Sequence, residues 1–216
     1  SPYLVGIMDK FFDNKLFPVV ETNRGCPFAC SFCQRGEDYF NRTTMRPIDM
    51  IKEELDYIAY HMVKKSSGVF RVEMADSNFA MMKQDLEVCK HLRELQDKYT
   101  WPRIISCSTG KNQPERIIEA VATLIPDSLV ISNAMQSTNL ESLEAIKREN
   151  ISLEKYKMVQ DEVQRRGLRS KADLILGLPL ETKESHVAAI YGLIDSGVQE
   201  FSCYQAMILK DTDLGS

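Results

Sequence analysis

Three of the six cysteines in this 216-residue sequence, Cys26, Cys30 and Cys33, fall inside RGCPFACSFCQRG (24–36) with the spacing C-x3-C-x2-C. Six cysteines are too sparse and too uneven for a disulfide scaffold, so thiols gathered at one place read as metal ligands. A structural zinc site needs a fourth ligand. The remaining cysteines, Cys89, Cys107 and Cys203, and the three histidines are scattered rather than paired. An electron-transfer ferredoxin holds its cluster with four cysteines, and this run has no fourth. Three thiolates on a four-iron cluster leave one iron open to an external ligand, as a catalytic zinc keeps one position free. The spacing therefore points to a reactive [4Fe-4S] centre, with a zinc-stabilised, non-catalytic binding module as the alternative.

The elements that must position this loop follow from hydrophobic period. FPVVETN (17–23) is β-branched and stops at the cysteines. Beyond Pro47, the positions Ile48, Ile51, Leu55, Ile58 and Met62 step by three and four, predicting an amphipathic helix that Ser66, Ser67 and Gly68 end. Strands are then predicted at GVFRVEM, RIISCS (103–108), SLVISNA, ADLILGL (172–178) and VQEFSCYQAMIL. Helices are predicted over about 82–98, from Pro114, from Asn139 to Lys147, from Ser152 to Gly167, and over about 183–196. ADLILGL is the most continuously apolar strand, as expected where helices cover both faces. Strands alternating with helices give an α/β fold with a parallel sheet. At about 250 residues for a full eight-stranded barrel, the length predicts an incomplete (β/α)6 barrel lacking its last helix. Residues 1–16 read as a leading linker segment whose Tyr3, Leu4, Ile7, Phe11 and Phe12 pack outside the barrel or on an absent domain, and 17–216 as the core, truncated after strand six.

A hydrophobic content of 44% and a charged content of 27% suit one domain with an ample core. The net charge of −4 carries no dense basic block, so no nucleic-acid footprint is expected. No apolar run approaches the roughly 20 residues of a transmembrane segment, and the start lacks the order of a signal peptide, so a cytoplasmic location is expected.

In parallel α/β folds the loops leaving the C-terminal strand ends build the active site, and the cysteine loop leaves the first strand there. RGCPFACSFC resembles the CxxxCxxC signature of radical S-adenosylmethionine enzymes, including the aromatic Phe32 before the last cysteine. The resemblance implies a [4Fe-4S] cluster on Cys26, Cys30 and Cys33 that chelates S-adenosylmethionine and cleaves it reductively to a 5′-deoxyadenosyl radical, which abstracts a substrate hydrogen. ISNAMQSTNLESLEAIKREN and ADLILGLPLET resemble the fourth- and fifth-strand segments of the coproporphyrinogen oxidase and methylthiotransferase types. KDTDL (210–214) stands where many members have a Gly-Thr turn, with Asp211 in place of the glycine. SPYLVGIMDKFF followed by ETNRGCPFACSFC resembles the junction to a cobalamin-binding domain in B12-binding members. This implies cobalamin as a further cofactor of a longer protein, methylation or rearrangement as the reaction class, a small-molecule or peptide substrate, and a reduced flavodoxin- or ferredoxin-type electron donor. A catalytic core that folds but is inactive without its missing parts is a further alternative.

The resemblance also implies site residues, each with a plainer reading. VEMADSNFAM (72–81) lacks the usual glycine-glycine-glutamate motif, and Asp76 with Ser77 is the nearest match for accepting the methionine ammonium; Asp76 is equally suited to cap the next helix. Gln136 and Arg148 match positions that reach the ribose and the methionine carboxylate. A guanidinium suits bidentate carboxylate binding, but an arginine in the last turn of a helix also complements the dipole. Asp173 matches an aspartate near the ribose, or is an ordinary turn residue. Ser106 and Ser108 are nucleoside-facing candidates, and Gly177 and Pro179 suit close approach to an adenine. Cys89, Cys107 and Cys203 read as small buried hydrophobes. His61, His91 and His186, all in predicted helices, receive no catalytic role, and the ten methionines read as core filling.

Overall fold

A computed structural model describes residues 1–66 and 68–215, so the predicted role of Ser67 in ending the first helix lies outside them. The chain divides into two units, one of residues 1–23 and 45–130 and the other of 24–44 and 131–216.

The first unit carries β1 (Val19–Val20), α1 (Ile48–Lys65), β4 (Arg71–Phe79), α2 (Lys83–Tyr99), β5 (Ile104–Thr109) and α3 (Pro114–Ala122); the two-residue strands β2 (Asn23–Arg24) and β3 (Thr44–Met45) pair with each other. The strand order is β1-β4-β5, and both pairings are parallel. The three-four spacing on α1 is realised: Ile51, Leu55, Ile58, Ala59 and Met62 are buried, the isoleucine, leucine and methionine side chains each contributing roughly 1.5–3 kcal/mol. Val72 and Met74 on β4 and Ile105 on β5 point into the core. The alternate residues Glu73 and Ser106, in register with each other, lie on the opposite, half-buried face. Ser108 shares that face with Ser106, two positions on. In the leading segment Tyr3 and Phe12 are buried, while Ile7 and Phe11 stay exposed. The Tyr3 hydroxyl donates to the Val19 carbonyl at 3.2 Å, Phe12 stacks on His61 at 5.1 Å, and the Tyr57 hydroxyl donates to Asp9 at 2.6 Å.

The second unit carries β6 (Ile131–Gln136), α4 (Leu140–Ala145), α5 (Leu153–Arg165), β7 (Ser170–Leu176), α6 (Lys183–Asp195) and β8 (Glu200–Gln205), with parallel order β6-β7-β8. Asn139 caps α4 by accepting from Glu141 N at 3.0 Å, and Ser152 caps α5 by accepting from Lys155 N at 3.2 Å. Ala172 and Leu174 of β7 meet Tyr156 of α5 and Ala189 and Leu193 of α6 in one buried cluster. The expectation that helices cover β7 on both faces is corrected: burial alternates, and Lys171, Asp173 and Ile175 on the other face are only half-buried. One face of β7 is a helix-covered core; the other carries Lys171 and Asp173 and then Ile175, which packs against Leu143, Ile146 and Leu178.

Candidate functional site

The cysteine loop follows β1 in sequence and folds as part of the second unit. It is wound tightly. Cys26 N donates to the Phe40 carbonyl at 2.8 Å, Cys33 N to the Cys30 carbonyl at 3.1 Å, and Gly36 N to the Cys33 carbonyl at 2.8 Å. Two glycines permit this path. Gly25 has φ +106°, and a Cβ there would stand 2.3 Å from the Arg42 carbonyl oxygen; a Cβ on Gly36 would stand 2.3 Å from that of Cys30. The loop is pinned from outside by Ser31 N to the Ile146 carbonyl at 3.0 Å and by Leu214 N to the Ser31 carbonyl at 2.9 Å. Phe32 packs with Leu143, Ile146 and Leu178. Its ring anchors the loop on α4 and on the loop after β7.

None of the six cysteines is in a disulfide; Cys30 is 6% exposed, and Cys26 and Cys33 are half-buried. Among the described residues no three His, Cys, Asp or Glu side chains close on a single ion. A tetrahedral zinc needs sulfurs about 3.8 Å apart, as its 2.3 Å bonds require. Thiolates that each take a different iron of a cubane stand wider. Three soft thiol donors on one loop are the donor set that such a cluster takes.

Behind the loop lies a buried polar chain. Arg148 is 8% exposed and follows α4 past a left-handed Lys147 (φ +52°), with its N–H returned to the Leu143 carbonyl at 2.9 Å. Its Nε donates to Asn150 Oδ1 at 3.0 Å, Nη2 to the Ala134 carbonyl, and Nη1 to Cys30 Sγ at 3.5 Å. The dipole-complementing alternative for Arg148 is therefore corrected, because the helix ends at Ala145 and the guanidinium turns to β6 and the loop. Asn150 Nδ2 donates to the carbonyls of Met135 at 2.6 Å and Ser137 at 3.0 Å. Ser137 Oγ donates to Glu181 Oε1 at 2.5 Å, and Glu181 Oε2 lies 3.3 Å from His186 Nδ1. With a side chain only 1% exposed, Glu181 ties the end of β6 to the loop after β7. Sequence reasoning assigned no part to Ser137, Glu181 or His186, although the first two stand inside the motifs QS and LPLET.

The other implied residues fall differently. Asp76 is 3% exposed in β4, and Oδ1 accepts from Thr22 N at 2.7 Å and Asn23 N at 3.2 Å; Oδ2 accepts from the Thr22 hydroxyl and from Asn23 Nδ2 at 3.1 Å. A carboxylate offers about four lone-pair sites, and all four are filled. Asp76 thus does not cap α2; it clasps the two residues that lead into the cysteine loop. Burial pushes its carboxyl up, against the lowering effect of the Thr22 and Asn23 bonds. Asp76→Ala strands buried donors at roughly 1–3 kcal/mol each, so we expect a lower urea midpoint together with reduced iron uptake, read by denaturation and iron analysis. A stable variant weakened only toward S-adenosylmethionine would restore the ammonium role.

Ser77 sits half-buried where the pairing of β4 with β5 shifts register between Met74 and Phe79. Gln136 ends β6 at φ +64°, a backbone state that costs a non-glycine residue on the order of 1 kcal/mol or more. Asp173 lies inside β7, not at a turn. Its Oδ2 accepts from Ser132 Oγ at 3.3 Å, and its Oδ1 is buried without a partner among the described residues. Gly177 has φ +85°, and a Cβ there would meet nothing within 4 Å. Asp211 takes φ +63°, the state a glycine favours, and the segment after it packs back on Ser31. Cys89 is buried, and burial pushes its thiol well up. The reading of Cys203 as a buried hydrophobe is corrected, since it is exposed on β8, the edge strand.

Among the described residues no helix is long and apolar enough to cross a membrane. Over its whole length the chain is 33% identical to the 2-(S-pantetheinyl)-carbapenam-3-carboxylate methyltransferase of Streptantibioticus cattleyicolor and 31% identical to the cobalamin-dependent radical SAM methyltransferase TokK of Streptomyces tokunonensis. It spans about a third (32%) of each. Among solved structures, the radical S-adenosylmethionine methyltransferase TsrM of Kitasatospora setae superposes on 95% of this chain and 39% of its own with a TM-score of 0.76 at 14% identity. The coproporphyrinogen III oxidase HemN of Escherichia coli covers 92% of this chain and 45% of its own, with a TM-score of 0.64 at 16% identity. The family model of the radical SAM superfamily matches residues 20–190, from β1 into α6 and through the cysteine loop. By that match, the chain belongs to the radical SAM superfamily.

Proposed function

We propose that this chain is the catalytic core of a radical S-adenosylmethionine enzyme, built as an incomplete (β/α)6 barrel over 17–216 with residues 1–16 leading into it. The observation that carries the reading is the cysteine loop: three thiols at C-x3-C-x2-C spacing on a glycine-wound turn, with a buried guanidinium on Cys30. Cys26, Cys30 and Cys33 would each hold one iron of a [4Fe-4S] cluster, leaving the fourth for S-adenosylmethionine. When bound, the cluster supplies the electron that cleaves the sulfonium to methionine and a 5′-deoxyadenosyl radical, which takes a hydrogen atom from the substrate.

The chain's own residues do the positioning. Phe32 fixes the loop. Asp173 offers a buried acceptor and Gln136 a strand-end carboxamide to the ribose, and Ser77 stands at the irregular end of β4. The half-buried polar faces of Glu73 and Ser106, and of Lys171 and Asp173, would line the substrate side of their sheets. The similarity to a cobalamin-dependent methyltransferase supports methylation that uses cobalamin in the longer protein. A small-molecule or peptide substrate, a flavodoxin- or ferredoxin-type electron donor and a reducing, cytoplasmic setting complete the proposal.

Anaerobic reconstitution with iron and sulfide, followed by reduction in the presence of S-adenosylmethionine, tests it. About four irons per chain and release of 5′-deoxyadenosine are expected. One colourless metal ion per chain would establish the zinc module instead. A brown chain that releases no 5′-deoxyadenosine would be a folded but inactive core.

A further inference from the structure

The chain enters the cysteine loop through β2 and returns through β3, and these two short strands pair with each other. Asp76 clasps the entering foot through Thr22 and Asn23. The returning foot is held by Arg46, the residue after β3. Its backbone N–H donates to the Thr22 carbonyl at 2.9 Å, and its Nη1 donates both to the Glu21 carbonyl at 2.8 Å and to Glu54 Oε2 at 2.6 Å. The Arg46 carbonyl in turn accepts from Gln84 Nε2 at 2.8 Å. Glu54 stands on the same buried face of α1 as Ile51, Leu55 and Ile58, with a side chain only 3% exposed. A carboxylate is rarely buried so far unless a partner is built for it. Both of its oxygens are used: Oε2 aims the guanidinium, and Oε1 accepts from the Ser1 hydroxyl of the leading segment.

What the returning foot carries is the support of Cys26. Cys26 N donates to the Phe40 carbonyl, and the backbone of Gly25 passes so close to the Arg42 carbonyl that a Cβ has no room. Arg42 and Phe40 lie four and six residues ahead of Arg46, so a returning foot that slips takes the backing of Cys26 with it. We propose that Arg46, aimed by Glu54, is a positioning residue for the cysteine loop: it locks the returning strand to the entering one and so holds the thiol of Cys26 in place. This rests on the cluster reading for what the thiol does once placed, whereas the placement itself is measurable without iron. The lock is a charge pair rather than a neutral hydrogen bond because one guanidinium nitrogen has to serve a carboxylate and a carbonyl together, and Glu54 fixes its direction from within the helix.

The test is alkylation of the iron-free chain by iodoacetamide, followed cysteine by cysteine by mass spectrometry, for wild type, the double variant Arg46→Met with Glu54→Leu, and Glu54→Gln. The double variant removes both charges and leaves neither buried alone, so its urea midpoint should stay near the wild-type value. Cys26 should then react about tenfold faster, through local opening of the returning foot. Cys89, buried in α2, should stay as protected as in the wild type and reports on general unfolding. After anaerobic reconstitution, the visible absorbance of the double variant should bleach about tenfold faster under an iron chelator. A folded double variant whose Cys26 keeps the wild-type rate would overturn the proposal. So would equal acceleration of Cys26 and Cys89 with a lowered midpoint, which would make the ion pair a general support of the fold. If the double variant does not fold, Glu54→Gln decides. It keeps the shape and one acceptor but weakens the aim, so Cys26 should react about threefold faster, and an unchanged rate overturns the proposal. Failure of the wild-type chain to take up iron and sulfide would instead defeat the cluster reading, with the alkylation rates still deciding the role of Arg46.

Discussion

Cys30→Ala is expected to emerge from anaerobic reconstitution colourless, with less than about a tenth of the wild-type iron, because two thiolates do not retain a four-iron cluster. Of the three proposed ligands, Cys30 is the one built deepest into the protein: buried, with its carbonyl accepting from Cys33 N and its sulfur facing Arg148 Nη1. Replacing its sulfur with hydrogen removes few packing contacts, so the far-ultraviolet circular dichroism should stay at the wild-type value while the cluster is lost. Cys203→Ala is the control. Cys203 is exposed on β8, outside the cysteine loop, and its removal should leave iron and sulfide at wild-type levels. A full iron and sulfide complement in Cys30→Ala would reject the assignment of the loop. Equal losses in both variants would point to general damage by thiol removal.

The elements were legible because helix and strand periods differ so plainly here. The stepping of Ile51, Leu55, Ile58 and Met62 predicted α1, and the caps Asn139 and Ser152 placed α4 and α5 to within two residues. What period did not disclose was which faces would be covered. ADLILGL reads as buried throughout, yet Asp173 and Ile175 face away from α5 and α6. A run of apolar letters records burial on one side and mere tolerance on the other. Cys203 was misplaced for a related reason: β8 is the edge of its sheet, and edge position is set by topology rather than by local sequence.

At the site, spacing singled out the candidate ligands but not their supports. The three cysteines are neighbours in the chain, and a motif of neighbours is readable as it stands. Asp76 meets its partners Thr22 and Asn23 across more than fifty residues, so nothing local said that its four acceptor sites were already taken. Arg148 lies 118 positions from Cys30, and the chain through Asn150, Ser137 and Glu181 joins the ends of two strands. These hydrogen bonds exist only once β6 and β7 lie side by side. Glu181 left one local trace, as the acidic letter in LPLET, and an acidic residue that far inside an apolar motif warrants a search for its partner.

Gly36→Ala should also cost iron, though it touches no sulfur. Its new Cβ would lie 2.3 Å from the Cys30 carbonyl oxygen and 3.1 Å from both the Cys30 carbonyl carbon and nitrogen. Those are backbone atoms, and a backbone cannot swing aside as the end of a side chain does. The turn that Gly36 N closes on the Cys33 carbonyl must open, or Cys30 must move off Arg148; either displaces a proposed ligand. Overpacking of this kind costs about 1–3 kcal/mol, all of it borne by the loop. Iron content should therefore fall below about half, while the urea midpoint of the remaining fold changes little. Gly167→Ala separates crowding from backbone strain. Gly167 has φ +66° but nothing within 4 Å of an added Cβ, so the substitution should cost about 1 kcal/mol of stability and no iron. If Gly36→Ala loads iron as the wild type does, the tight winding of the loop is not what holds the thiols in place, and the cluster must find its geometry by reshaping the loop around itself.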